Sequence, residues 1–133
     1  MITIENYLMG RDKNYAREYS EEIKQNGEEL LIKVNSLLKA LRFENAKVSS
    51  GWRPPSYNRT VIGAAKGSHH TTGHAIDIKD PDGRLRDLIL KEEFLGESLL
   101  CLHELYMEDP AFTPTWVHLQ DIPPKSGKYI FKP

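Results

Sequence analysis

The chain has 133 residues, 39% of them hydrophobic and 28% charged. That length fits one domain with a real core, burying roughly two-thirds of its unfolded surface. Such a composition excludes a disordered chain, a coiled coil and a collagen-like repeat, and no apolar run of about 18 residues is present to span a membrane. Eighteen Lys+Arg against nineteen Asp+Glu give a formal net charge of -1. Nucleic-acid binders show a basic excess or stripe, so neither nucleic acid nor membrane is expected as a partner.

Residues 1-16 read as irregular and polar. Ser20 before Glu21, Glu22 and Ile23 has the form of a helix N-cap with acids in the first turn. Gly27 is expected to interrupt that helix. From Glu28 to Leu41 the apolar residues Leu30, Leu31, Val34, Leu37, Leu38 and Leu41 form one stripe at helical spacing, as a packing helix needs. Ala46 to Ser50 reads as a strand, Gly51 to Asn58 as turn-rich, and Thr60 to Thr72 as a loop. Ala75 to Lys79 alternates as a strand does. Arg84 to Phe94 reads as a helix with Gly96 as its C-cap, Glu97 to Met107 as a second helix, and Asp109 to Pro114 as a loop. Trp116 to Gln120 and Tyr129 to Phe131 read as strands. The fold class expected is α+β, helices packed on a small antiparallel sheet in a single domain over 1-133. Residues 1-43 form its helical part and 46-133 carry the chemistry.

Cys101 is the only cysteine. It cannot form an intramolecular disulfide, and its apolar neighbours predict a buried thiol. Met1 to Gly10 lacks the basic start and apolar core of a signal peptide, so the chain is expected to be made and kept in a cytoplasm. A monomer is expected.

All five histidines lie between 69 and 118. Catalytic zinc takes three His or carboxylate ligands and keeps a position open for water. His70, Asp77 and His118 can supply that set. On its strand Asp77 shares a face with Ala75 and Lys79, and His118 shares one with Trp116 and Gln120. If the strands are neighbours, the two side chains converge. On spacing alone, three histidines decorating an exposed loop is an equal alternative.

The segment Ser68-His69-His70-Thr71-Thr72-Gly73-His74-Ala75-Ile76-Asp77 matches S-x-H-x-x-G-x-A-x-D. It resembles the zinc-ligand motif of the M15 metallopeptidases, which include D-Ala-D-Ala carboxypeptidases and phage endolysins and share the hedgehog-type zinc fold. Ser50-Gly51-Trp52-Arg53-Pro54-Pro55 with Asn58 resembles the family's arginine segment, and Trp116 to Gln120 its third-ligand strand. The N-terminal stretch and the ending, Pro123 to Gly127 and Phe131 to Pro133, resemble those of small phage or prophage members. The resemblance implies one Zn²⁺ per chain on His70, Asp77 and His118. It implies Arg53 as the catalytic arginine facing the substrate carbonyl, and a role for Ser68 within the site or on substrate. Tyr57, Asn58 and Gln120 are further expected substrate contacts. The implied activity is hydrolysis of a peptide bond in peptidoglycan stem peptides, as a D-Ala-D-Ala carboxypeptidase or an endolysin-type endopeptidase. Action at the cell wall would then require release by a lysis system.

One position departs from the motif. Many relatives carry Glu or Asp three residues before the third ligand as general base, and here Thr115 stands there. Candidates for the base are His103, Glu104, Glu108, Asp109, His69 and His74. The gap keeps open a zinc-containing module, wall-binding or part of a phage particle, that does not catalyse. A nucleic-acid-associated protein is the third alternative.

Overall fold

A computed structural model describes all 133 residues. Two short helices open the chain, α1 (Ile4–Leu8) and α2 (Arg11–Asn14), where an irregular start was expected. Thr3 explains the first. Its hydroxyl accepts the Asn6 N–H while the Asn6 side chain accepts the Thr3 N–H, a reciprocal cap that satisfies two free donors.

Helix α3 (Glu21–Ala40) begins where Ser20 Oγ accepts the Ile23 N–H. It runs unbroken through Gly27, contrary to the expected interruption. A Cβ at Gly27 would lie 2.9 Å from the Tyr7 ring, so the glycine makes room for α1 and does not end the helix. The stripe Leu30, Leu31, Val34, Leu37 and Leu38 is buried. Each such side chain contributes about 1.5–3 kcal/mol on full burial.

The remaining elements are β1 (Val48–Ser50), α4 (Pro55–Asn58), a 3-10 turn (His69–Thr72), β2 (Ala75–Lys79), α5 (Arg84–Leu90), a second 3-10 turn (Glu93–Gly96), α6 (Glu97–Leu102), β3 (Tyr106–Glu108), β4 (Trp116–Gln120) and β5 (Ile130–Phe131). The helix expected over Glu97 to Met107 therefore stops at Leu102, and its last residues form a strand. Glu104 takes a left-handed conformation (φ 55°), and the Leu105 N–H closes back on the Leu100 carbonyl. Cys101 is exposed, not buried: Leu100 is the residue of α6 that enters the core.

The sheet order is β1-β2-β4-β3-β5. All pairs are antiparallel except β3 with β5, which is parallel, so the sheet is mixed and not wholly antiparallel as expected. Ile76, Ile78, Val117, Leu119 and Met107 lie in one core with the α3 stripe, Leu85, Ile89 and Trp52. Alternation along each strand then gives Asp77, His118 and Glu108 to the opposite face. Asp80 anchors the turn after β2. Its carboxylate accepts the N–H groups of Leu85 and Arg86 at 2.8 and 3.1 Å, capping α5. No helix is long and apolar enough to cross a membrane.

Candidate metal centre

The pairing registers align the chemistry-bearing residues into one rung across the sheet. Ser50 pairs with Asp77, Asp77 with His118, and Glu108 with Phe131. Tyr106 pairs with Gln120 and Met107 with Leu119, so the next step of that register sets Glu108 opposite His118. A bulge in β1 puts Ser50 there: from Val48↔Ile78, a regular ladder would bring Ser49 to Asp77.

His70 reaches the rung from the 3-10 turn. Ser68 Oγ accepts the His70 N–H and caps this turn, and Gly73 (φ 85°) ends it. A Cβ at Gly73 would lie 2.9 Å from the Ile23 carbonyl, so a side chain there is excluded by both conformation and space. Three further bonds pin the turn. The Arg53 N–H donates to the His70 carbonyl at 3.0 Å, Trp52 Nε1 to Thr71, and Asn26 Nδ2 to Thr72. Trp52 is fully buried and serves as core and anchor.

His70 Nε2 lies 3.3 Å, and His118 Nδ1 2.8 Å, from Asp77 Oδ1. One ligand atom from each of the three residues lies within 4.8 Å of the others, and all three residues are buried. The far nitrogens are also engaged: His70 Nδ1 with the Gly51 carbonyl at 2.8 Å, and His118 Nε2 with Gln120 Oε1 at 3.0 Å. A carbonyl behind each imidazole is the arrangement that orients histidine ligands on a metal. The donor set, two imidazoles and one carboxylate, is the mixed N/O set that suits zinc.

Arg53 sits beside this group. Its Nη2 is 3.1 Å from Asp77 Oδ2 and its Nε donates to Ser50 Oγ at 2.9 Å. Burial alone would raise the Asp77 carboxyl, but attraction to His70 and hydrogen bonds from both imidazoles outweigh it and hold Asp77 far below the usual carboxylate range. Burial lowers His70, with the charge and hydrogen bond of Asp77 opposing. For His118 the Asp77 bond and charge overcome burial and raise it.

The family model described as Peptidase M15 matches residues 13–100. The chain belongs to the peptidase M15 family. The match includes Arg53, His70 and Asp77 and stops short of β3 and β4. No curated protein and no solved structure matches the chain.

The other residues expected at this M15 site are placed as follows. Asn58 is buried, and its Nδ2 donates to the Ala65 carbonyl, stapling the loop between α4 and Ser68. Tyr57 packs toward the N-terminal helices, with the Arg11 guanidinium 4.4 Å from its ring centre and Tyr15 at its edge. Gln120 is buried behind His118, its Nε2 donating to the Ile122 carbonyl at 2.6 Å.

Among the candidates for a base, Glu104 is exposed and lies 4.0 Å from Lys33. His74 pairs with Asp121 at 2.9 Å, and Asp109 accepts the Ala111 N–H. Thr115, the position of the missing acid, lends its carbonyl to Asp80. Glu108 alone stands on the rung. Burial raises its carboxyl above the ordinary glutamate range, with the charge of His118 opposing and that of Asp77 adding. The Phe131 and His118 rings lie 6.2 Å apart across the strand that carries it.

Proposed function

We propose that this M15 chain is a zinc-dependent peptidase acting on peptidoglycan stem peptides. The observation that carries the reading is the rung itself: a buried His-Asp-His donor set flanked by a fixed guanidinium and, one strand away, by a carboxylate. His70, Asp77 and His118 would hold a divalent cation, which would supply a Lewis acid and a water nucleophile near neutral pH.

The protein's own groups supply the rest. Arg53 is held by Ser50 and Asp77, so its guanidinium meets a substrate carbonyl without reorganising. It stabilises the negative charge that develops on the carbonyl oxygen. Glu108 takes a proton from the attacking water and returns it to the leaving amine. Its raised affinity for a proton suits both halves of that task, because a shuttle works best when its pKa approaches the working pH. Asp77 carries the negative charge that offsets Arg53 and would offset part of the cation's charge.

The experiment is zinc content, measured together with digestion of stem peptides and product masses, for the wild type and Glu108→Gln. One zinc per chain is expected in both, with cleavage lowered about 10²–10⁴-fold in the variant. Loss of one terminal alanine identifies a carboxypeptidase, and two internal fragments an endopeptidase. Zinc without cleavage by the wild type would instead favour the non-catalytic zinc module.

A further inference from the structure

We infer that Gln120 is a positioning residue that selects which nitrogen of His118 faces the metal; this rests on the zinc reading above. The argument begins at the far end of the side chain. Gln120 Nε2 lies 2.6 Å from the Ile122 carbonyl. A peptide carbonyl only accepts, so the NH₂ end of the amide must point there. That leaves Oε1 facing His118 Nε2 at 3.0 Å.

An amide oxygen also only accepts. The proton between the two groups therefore belongs to His118 Nε2. Without a cation Nδ1 also faces an acceptor, Asp77 Oδ1, and donates to it; a ligating imidazole keeps only one N–H, so the proton fixed on Nε2 makes Nδ1 the nitrogen that gives its proton up. Nδ1 is the atom 2.8 Å from Asp77 Oδ1, inside the donor group.

His70 is set the other way round. The Gly51 carbonyl holds its Nδ1, and its Nε2 faces inward. The two histidines thus present opposite nitrogens, each fixed by a carbonyl acceptor. One acceptor is backbone and cannot be mutated away. The other is a side chain, and Gln120 is buried with both ends of its amide engaged.

The sequence had placed Gln120 on the face of His118 and made it a substrate contact. The geometry puts it one step further back, acting through the imidazole.

The test compares wild type, Gln120→Leu and Gln120→Glu in two readouts that need no peptidase activity. One is the zinc dissociation constant from competition with a chromophoric chelator. The other is the ¹⁵N–¹H spectrum of the histidine rings in the zinc-loaded protein. Leucine removes the acceptor and keeps the bulk. It is expected to weaken zinc about 10–100-fold, the usual effect of losing an outer-shell partner, and to expose the His118 Nε2 proton to rapid solvent exchange. Glutamate keeps the acceptor and loses the donor to Ile122. It is expected to hold zinc within about threefold of wild type and to retain the protected Nε2 proton.

Leucine that binds zinc like wild type, or glutamate that loses zinc as leucine does, overturns the assignment. A Gln120→Leu chain that fails to fold leaves the glutamate arm to decide. A folded wild type that takes up no zinc overturns the zinc reading itself, and is distinguished from the first two outcomes by its own titration.

Discussion

Gly51→Ala is the substitution for which the structure sets the largest consequence per atom added. A Cβ built there lies 1.9 Å from the Tyr7 carbonyl oxygen and 2.7 Å from Tyr7 Cδ2. Carbon and carbonyl oxygen normally approach to about 3.3 Å, so strand and helix must part by more than 1 Å. Neither side is free to yield. Tyr7 is fully buried and its hydroxyl donates to the Ala75 carbonyl. The Trp52 N–H bond to the Tyr7 carbonyl, 3.3 Å long, lies directly beside the new methyl group. Overpacking costs about 1–3 kcal/mol and the strained hydrogen bond about 1 more, so about 2–4 kcal/mol in all. At about 2.1 cal/mol/K per residue, a chain of 133 residues unfolds with an entropy of about 280 cal/mol/K, and 3 kcal/mol lowers Tm by about 11 °C. The Gly51 carbonyl also orients His70, so zinc affinity is expected to fall with stability. Differential scanning calorimetry with a zinc titration reads both. Gly67→Ala is the control, since its added Cβ meets nothing within 4 Å and its φ is not in the left-handed region. Equal melting temperatures for the two variants would refute the packing argument.

Three further residues carry expected outcomes. His70→Ala should abolish zinc binding, and elemental analysis finding a full complement of metal would remove His70 from the ligand set. The acid limb of kcat/KM should lie above the ordinary glutamate range, because burial raises Glu108, and it should vanish in Glu108→Gln. A raised folded pKa means that the folded state holds the proton longer, so ionisation of Glu108 costs stability as the pH rises through that window. Glu108→Gln should therefore melt no lower than wild type above it, and a marked drop in Tm there would assign Glu108 to the scaffold. Asp80→Ala should destabilise by about 2–3 kcal/mol, since it takes the carboxylate from the part-buried Arg86 and uncaps α5, yet leave zinc affinity unchanged. Weakened zinc in a variant that still folds would show that the α5 turn reaches the metal site.

How much could be read in advance depended on what each element takes from its neighbours. Period-two alternation in Ala75 to Lys79 and Trp116 to Gln120 gave the faces of Asp77 and His118, and the register made those strands neighbours. The stripe of α3 was equally plain. Glu108 stands among six candidates for the base in the sequence, and its strand position beside His118 is hidden for a definite reason. The run Leu99, Leu100, Leu102, Leu105, Met107 has helical spacing, and the residue that breaks it, Glu104, adopts a left-handed conformation with no glycine to mark it. The strand that follows is only three residues long and pairs in parallel with a segment more than twenty residues away, which no local pattern encodes. The bulge that brings Ser50 to Asp77 is likewise a property of the pair of strands. Gly27 looks like a helix breaker in sequence because its role is a contact with Tyr7, twenty residues earlier.

A site built as one rung is addressed by strand position and not by distance along the chain. Glu108 lies ten residues before His118, yet the segment 109-115 between them can lengthen or shorten without separating the two side chains. Register has no such tolerance. A one-residue slip of β4 against β2 turns His118 toward the core and Val117 toward the metal, so the donor set loses its third ligand even though His70 and Asp77 stay in place. A bound cation is then a check on assembly. It binds tightly only when the strands have found their native pairing, and by mass action it favours that pairing over every slipped one.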